Sequence, residues 1–179
     1  PDSFDRFKMN MLVEERLTQA GYKMVGIDHF VREDDSLYHM QRAGTLRRNF
    51  QGYTDDTSDY LIGMGLSSIS SLNDMYAQNT TDSPTYQNMV KNGELPLKRG
   101  LVLSAEDMRR RKLIERLMCD FKIDLNDYSD IKMPYDKLAP LEQDGLIVIK
   151  DNHLSVTDDG KSFTRVVAAC FDPYLKTDG

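Results

Sequence analysis

Residues 48–54 carry the residue types best suited to bind a ligand. Their sequence, Arg-Asn-Phe-Gln-Gly-Tyr-Thr, combines a glycine with aromatic and amide side chains. Glycine lets a backbone approach a ligand closely, and binding residues are concentrated in loops and at strand ends. Residues 61–70 and 76–79 repeat this mixture of small, apolar and amide residues. The pattern predicts a ligand-binding edge within residues 48–79.

Asp28 and His29 are candidate site-lining residues, because they end a predicted strand, where a site residue is often placed. A histidine beside an aspartate is also common as a structural hydrogen-bonded pair. Gly63 and Gly65 are further candidates, but Ser68 replaces the third glycine of a dinucleotide-binding motif. A strand that packs closely against its neighbour is the ordinary explanation of such glycines. Since GxSxG is also absent, no local motif predicts a catalytic residue in this chain.

The two cysteines, Cys119 and Cys170, do not predict a metal centre. No CxxC motif or nearby histidine accompanies them, so we predict no zinc or iron–sulfur ligands in this chain. Each falls on an apolar helical stripe, which favours buried free thiols in a reducing cytoplasm and leaves a disulfide open. We therefore expect a cytoplasmic protein.

The composition favours a folded α+β protein. A chain of 179 residues is long enough for one domain or two small ones. Hydrophobic residues make up 40% and charged residues 29%, which supports a core and argues against disorder. Neither a leader peptide nor an apolar membrane span is visible. Because the sequence begins with Pro1, we expect a processed chain or a piece of a longer one.

Helices and strands alternate among the elements that must position the candidate residues. Gly21 and Gly44 are placed to end helices. A polar segment at residues 54–57 favours a turn between two extended stretches. The predicted elements are helices over 3–20, 34–44 and 83–92, a strand over 23–30, and extended stretches over 46–53 and 60–70.

A domain boundary is predicted within residues 94–100, where Pro96 and Gly100 interrupt the pattern. The predicted domains are therefore residues 1–97, which include the ligand edge, and residues 98–179.

The second domain is predicted to have a winged-helix-like order of helix, helix, hairpin and helix. Ser104 and Asp107 form a capping-box-like start for the first helix. Pro140 is expected to kink or split the second helix. The predicted elements are a helix from 104 to about 121, a helix over 135–143, a hairpin over 146–157 with its turn at 151–152, and a last helix with its apolar face between 163 and 171.

This layout raises a nucleic-acid-binding hypothesis, which the four consecutive cations at 109–112 favour. However, Glu106 lies four residues before Arg110, an orientation that favours pairing, so we interpret the run as a solvated face. The helix over 135–143 has Lys137 as its single cation, which suits a phosphate backbone poorly. We therefore predict no nucleic-acid partner.

Several segments occur in an order that resembles one enzyme family. They are Gly-Ile-Asp-His-Phe at 26–30, Asn-Phe-Gln-Gly-Tyr-Thr at 49–54, Gly-Met-Gly-Leu-Ser-Ser-Ile-Ser at 63–70, Tyr-Ala-Gln-Asn at 76–79, Lys-Arg-Gly-Leu at 98–101 and Leu-Met-Cys-Asp-Phe at 117–121. The chain resembles the C-terminal portion of the oxygen-independent coproporphyrinogen III oxidases, radical S-adenosylmethionine enzymes of haem biosynthesis. Related haem chaperones usually carry a tryptophan in the second segment, and this chain has none, which favours the oxidases.

The resemblance implies an activity that needs no oxygen. Such enzymes decarboxylate two propionates of coproporphyrinogen III to vinyl groups, giving protoporphyrinogen IX. A 4Fe-4S cluster cleaves S-adenosylmethionine to a radical that removes a hydrogen from the propionate. The family's cofactor pocket is completed by residues that match Phe50, Gln51 and Ile69. An aromatic and an aliphatic side chain suit the cover of such a pocket, and an amide suits its polar edges.

The resemblance also implies that the chain is incomplete as an enzyme. It would form the tail of a partial (β/α) barrel with added strands, followed by the winged-helix-like domain. The family's CxxxCxxC cluster motif is expected in an N-terminal barrel, which would be this chain's partner. We therefore expect the chain alone to be inactive. The alternatives are a haem or tetrapyrrole carrier that binds through His29 and, less favoured, a nucleic-acid binder.

Overall fold

The computed structural model describes residues 2–175, which form two compact units. Unit 1 contains the residues up to Asp55 and those from Lys112 onward. Unit 2 contains residues 56–111. These compact units do not coincide with the domains expected from sequence, and the division into domains at residue 97 stays a prediction.

Helices and short strands make up the chain, as the α+β prediction requires. The first elements are α1 (Ser3–Gln19), β1 (Lys23–Val25), β2 (His29–Val31), α2 (Ser36–Ala43), β3 (Arg47–Arg48), β4 (Tyr53–Thr54), β5 (Ile69–Ser71), β6 (Met75–Asn79), α3 (Ser83–Lys91) and β7 (Leu97–Val102). The later elements are α4 (Ala105–Asp120), β8 (Lys122–Asp124), a 3-10 helix (Leu125–Tyr128), α5 (Tyr135–Gln143), β9 (Ile147–Lys150), β10 (His153–Val156), a 3-10 helix (Lys161–Phe163) and α6 (Thr164–Ala169).

The sheets are small and antiparallel. In unit 1, β1 pairs with β2, β3 pairs with β4, and β8, β10 and β9 form a three-stranded sheet in that order. In unit 2, β5, β6 and β7 form a second three-stranded sheet in sequence order. The predicted hairpin of residues 146–157 is confirmed by the pairing of β9 with β10.

The main core of unit 1 lies between α4, α5, α6 and the sheet of β8, β10 and β9. Leu113 and Leu117 lie one helical turn apart on α4 and are fully buried there with Leu154 and Phe171. Fully burying such a side chain contributes roughly 1.5–3 kcal/mol, so this cluster holds the part of α4 from Lys112 onward to the rest of unit 1. A second cluster contains Val25, Leu46, Tyr53 and Cys119.

Local signals gave the predicted helix ends correctly. Asp35 caps α2, where its Oδ1 accepts a hydrogen bond from Leu37 N at 2.9 Å, and Gly44 ends the helix with a φ of 67°. Ser104 and Asp107 form the predicted reciprocal cap of α4, with Asp107 N to Ser104 Oγ at 3.1 Å and Ser104 N to Asp107 Oδ2 at 2.9 Å. The glycines and small polar residues at these ends act through their own backbones, which makes them readable from sequence.

Two predictions about strands were wrong. The strand predicted over 23–30 is a hairpin of β1 and β2, because Gly26 takes a φ of 58° and reverses the chain. The turn predicted at 54–57 does not join two paired stretches. The reversal comes earlier, at residues 49–52 between β3 and β4.

The stretch predicted to be extended over 60–70 is mostly irregular. Leu61 makes an isolated bridge to Ser71, and β5 begins only at Ile69. Between them, Gly65 and Ser67 have φ values of 101° and 61°, which are incompatible with a strand.

Pro140 does not split α5, which runs without a break over Tyr135–Gln143. The missing N–H of Pro140 would have bonded to the carbonyl of Asp136. Because Asp136 is exposed, water can take that bond.

The cation run at 109–112 is not a plain solvated face. The predicted pairing is confirmed for Arg110, whose Nη2 lies 2.6 Å from Glu106 Oε1, but only 13% of the Arg110 side chain is exposed. Arg111 donates from Nη2 to Ser71 Oγ at 3.0 Å and lies over the Tyr76 ring. Both guanidinium groups therefore have contacts within unit 2, which does not favour a phosphate-binding role.

Across residues 2–175, none of the helices combines the length and apolarity needed to cross a membrane.

Candidate ligand-binding segments

The tip of the β3–β4 hairpin, residues 49–52, presents Phe50 and Gln51. Asn49 closes this tip, because its Oδ1 accepts from Gln51 N at 2.8 Å and from Gly52 N at 3.2 Å. Asn49 N also donates to Gly52 O at 2.9 Å. Phe50 is 51% exposed and Gln51 is exposed. The tip thus offers an aromatic ring and an amide on a loop whose backbone is already hydrogen-bonded, which limits the entropy lost on binding.

Tyr53 anchors this hairpin in unit 1. Its ring is 8% exposed, and its hydroxyl donates to Met118 O at 2.8 Å and accepts from Ile27 N at 3.1 Å. Gly26 lies directly against the ring, where an added Cβ would overlap it. Burial raises the pKa of Tyr53 to about 12, so the phenol is neutral at ordinary pH and can donate its hydrogen bond.

Asp28 and His29 lie beside the same hairpin. His29 Nδ1 is 2.8 Å from Asp28 Oδ1, and the imidazole meets the Tyr53 ring edge-on with centroids 5.0 Å apart. A Cβ built at Gly52 would lie 3.0 Å from His29 Nε2. One ring nitrogen therefore faces Asp28 and the other lies beside Gly52, a placement that does not favour haem ligation by His29.

Gly63, Gly65 and Ile69 lie in unit 2, where the segment of residues 61–68 forms an irregular loop. Asn79 holds this loop from β6, because its Nδ2 donates to Gly65 O at 2.8 Å, to Ser68 Oγ at 3.0 Å and to Gly63 O at 3.3 Å. Asn79 is 5% exposed. A Cβ at Gly63 would lie 2.8 Å from the Ile69 backbone, so the close approach expected of this glycine is present without the expected strand.

The same loop exposes apolar side chains. Ile62 is 64% and Met64 88% exposed, and Leu66 is 44% exposed. Ile69, which follows the loop, is partly buried and pairs with Gln78 of β6. Unit 2 therefore offers an apolar surface held in place by polar groups beneath it.

The described residues do not suit an iron–sulfur cluster. Within the range 2–175, no group of three or more His, Cys, Asp or Glu side chains is arranged to hold a metal ion. Both cysteines are free; Cys119 is fully buried and Cys170 partly buried. Burial raises the pKa of Cys119 to about 12, which disfavours the thiolate that a cluster ligand requires.

A cavity of about 620 Å³ in unit 1 contains none of the predicted site residues. It is lined in part by Arg116, Asp120, Asp124 and His153. These groups are paired with one another, with Arg116 Nη1 2.9 Å from Asp120 Oδ2 and His153 Nε2 3.5 Å from Asp124 Oδ2. Burial raises the pKa of Asp120 although Arg116 opposes this shift.

The structure thus groups the predicted residues by unit. Asp28, His29, Phe50 and Gln51 lie around one hairpin of unit 1. Gly63 and Gly65 lie in one loop of unit 2, and Ile69 begins the strand that follows it. Sequence reasoning missed the residues that hold these segments, which are Asn49, Tyr53 and Asn79. Only Asn49 carried a local signal, because an asparagine three residues before a glycine is typical of a side-chain-closed turn.

Comparisons with known proteins test the predicted resemblance to the coproporphyrinogen III oxidases. The HemN C-terminal domain family matches residues 103–163. The chain is 40% identical over 172 residues to the oxygen-independent coproporphyrinogen III oxidase of Escherichia coli, covering 89% of this chain and 37% of that protein. It is 37% identical over 184 residues to the enzyme of the same name from Pseudomonas aeruginosa, covering 98% of this chain and 40% of that protein.

The resemblance to these oxidases is confirmed. A solved structure supports it, that of coproporphyrinogen III oxidase (HemN) from Escherichia coli, described as a Radical SAM enzyme. It superposes with a TM-score of 0.87 at 37% identity, covering 98% of this chain and 42% of that protein. The chain therefore spans about two fifths of the length of the oxidases that it matches.

Proposed function

We propose that this chain forms the C-terminal part of an oxygen-independent coproporphyrinogen III oxidase. The proposal rests on its similarity to oxidases of that name over nearly the whole chain. The proposed reaction of the complete protein is the oxidative decarboxylation of two propionates of coproporphyrinogen III to vinyl groups. The chain spans a minor part of its relatives, so we propose that it is inactive without an N-terminal barrel as its partner.

The proposed task of this chain is to bind S-adenosylmethionine through Phe50, Gln51 and Ile69. The observation that carries this proposal is the braced hairpin tip, which exposes Phe50 and Gln51 together. The Phe50 ring suits an adenine or the methionine chain, and the Gln51 amide can both donate and accept a hydrogen bond. Ile69 is proposed as the third contact on the ground of the family resemblance alone.

Phe50, Gln51 and Ile69 would hold S-adenosylmethionine, which beside a reduced 4Fe-4S cluster would supply the radical chemistry that the proposed reaction needs. The residues of this chain would bind and orient the cofactor and keep the site closed to solvent, which limits side reactions of reactive intermediates. The cluster ligands would come from the N-terminal barrel, since the described cysteines do not fit that role.

Two further proposals concern the architecture and the compartment. Residues 1–97 would complete the tail of a partial (β/α) barrel, and residues 98–179 would form a winged-helix-like cover over the site. The two free thiols support a reducing, cytoplasmic environment.

The test is an anaerobic assay of the complete protein that carries this chain, with coproporphyrinogen III and S-adenosylmethionine. Protoporphyrin fluorescence and released deoxyadenosine would be measured. We expect Gln51→Ala to raise the KM for S-adenosylmethionine about fivefold, the effect of losing one hydrogen bond.

Gln87→Ala is the matched control, because Gln87 is exposed on α3 in unit 2 and is outside the proposed site. Its kinetic constants should equal those of the unmodified protein. Absence of product from a cluster-loaded complete protein would reject the proposed activity. Equal KM values for Gln51→Ala and Gln87→Ala would reject the proposed role of Gln51 and leave the proposed activity standing.

A further inference from the structure

We infer that Arg165, Asp28 and His29 form a positioning relay that fixes the hairpin tip carrying Phe50 and Gln51. The inference concerns residues that would act through the backbone and would not touch the cofactor. The expected effect on the KM for S-adenosylmethionine rests on the proposed function. The claim that the relay orders the hairpin tip does not depend on that function.

The relay begins at Arg165, in the first turn of α6. Its Nη2 lies 2.9 Å from Asp28 Oδ2. The helix itself is fixed in the core of unit 1, because Val167 and Thr164 are fully buried. Arg165 thus links the turn between β1 and β2 to a rigid part of the unit.

Asp28 uses its two oxygens on two partners. Oδ2 accepts from Arg165, and Oδ1 lies 2.8 Å from His29 Nδ1. A carboxylate can only accept, so the proton of this second bond belongs to Nδ1. Asp28 therefore sets both the tautomer and the orientation of the imidazole, as carboxylates commonly do for functional histidines.

His29 transmits that orientation to Gly52. Its ring lies edge-on to Tyr53, and its Nε2 and Cε1 face Gly52, where an added Cβ would lie 3.0 and 3.3 Å away. Gly52 has a φ of 144°, in a region that favours glycine, so the backbone can pass this close to the ring.

Gly52 is the last residue of the tip, and its N–H and C=O are both bonded to Asn49. Moving Gly52 would therefore move Phe50 and Gln51, which lie between them. The ion pairs of the relay are too exposed to contribute much stability, with 65% of the Arg165 and 48% of the Asp28 side chain exposed. Their contribution is geometric.

The test uses the complete, cluster-loaded protein and two separate readouts. Hydrogen–deuterium exchange of the peptide covering residues 47–54, measured without S-adenosylmethionine, reports the order of the tip. Steady-state kinetics report the KM for S-adenosylmethionine and kcat. We expect Arg165→Gln and Asp28→Asn to accelerate exchange at the tip and to raise KM about twofold with kcat unchanged, in keeping with the small energy of an exposed ion pair.

Two variants serve as controls. Arg165→Lys keeps the charge and should retain most of the protection. Arg32→Gln removes another exposed arginine–aspartate contact of unit 1, with Asp34 at 3.3 Å, and should leave both readouts unchanged.

The outcomes separate the two claims. Tip exchange within twofold of the unmodified protein in both Arg165→Gln and Asp28→Asn would overturn the relay. Faster exchange with an unchanged KM would uphold the relay and reject Phe50 and Gln51 as cofactor contacts.

Discussion

The hairpin tip of residues 49–52 and the loop of residues 61–68 are both irregular and glycine-bearing, yet they are supported in different ways. Below the tip lies the buried ring of Tyr53, packed in an apolar cluster. Below the loop lies the amide of Asn79, which bonds three oxygen atoms. A buried ring resists displacement through packing, whereas an amide resists it through bonds that water can replace once the loop opens. We therefore expect the tip to be the more rigid of the two segments.

The largest effect should come from adding a methyl group beneath the tip. Gly26→Ala places a Cβ within the Tyr53 ring and forces an alanine to a φ of 58°. We expect it to lower the free energy of unfolding of unit 1 by about 3 kcal/mol, through overpacking and backbone strain. Native-state hydrogen exchange of the β3–β4 amides would measure it.

Gly21→Ala is the control for this change. Gly21 also has a positive φ, of 89°, but a Cβ there meets nothing within 4 Å. It should cost only the backbone strain of about 1 kcal/mol. Equal costs for the two alanines would show that the Tyr53 ring is not a rigid support.

The next largest effect should come from removing the amide beneath the loop. Asn79→Ala leaves three oxygens without that donor, and we expect a loss of about 2 kcal/mol. The loss should appear as faster amide exchange in unit 2, with the β3–β4 amides unchanged. Asn88→Ala, at an exposed position of α3, should change neither. If amide exchange in the unmodified protein were slower in the loop than in the tip, the loop would be the more rigid segment, and our expectation would be wrong.

Alkaline pH should weaken the packing around Tyr53. The folded-state pKa of Tyr53 is raised by burial from 10.0 to about 12. The unfolded chain therefore loses this proton first, and stability falls as the pH rises from about 10 to 12. By pH 11 we expect a loss of about 1 kcal/mol after allowance for solvent screening.

Tyr53→Phe supplies the comparison for that titration, because it is less stable at neutral pH but lacks the ionisable group. Urea unfolding at a series of pH values should give the unmodified chain the steeper fall between pH 10 and 12. Parallel curves would show that Tyr53 titrates as an exposed phenol.

The smallest effect should come from the surface of the loop. Met64 is 88% exposed, so Met64→Ser should change the free energy of unfolding by less than about 0.5 kcal/mol. A larger loss, measured by urea unfolding, would mean that the loop is held by its own apolar side chains and not by Asn79.

Helix ends and the last hairpin were predictable because their signals are local. Gly44 and Ser104 act on backbone groups within a few residues, and the pair at 151–152 turns the chain by itself. The chain reversal at Gly26, between β1 and β2, was missed because a glycine inside an apolar run does not by itself distinguish a turn from a continuous strand. The tertiary contact with Tyr53 decides it.

The site residues named from the sequence stay a prediction, and the residues that support them were not predicted. Phe50 and Gln51 followed from the family resemblance and the residue types around them. The link from Arg165 to Asp28 joins positions 137 residues apart, and nothing in the local sequence of either residue signals the other. Long-range ion pairs of this kind depend on the assembled core, which single-sequence patterns do not specify.

The unequal burial of the two cysteines has a practical consequence. Cys119 is fully buried with its pKa raised to about 12, whereas Cys170, at the end of α6, is partly exposed. A maleimide dye added to the folded chain at neutral pH should therefore attach to Cys170 first. The chain thus already carries a preferred attachment point for a fluorescent reporter, on the helix that also holds Arg165.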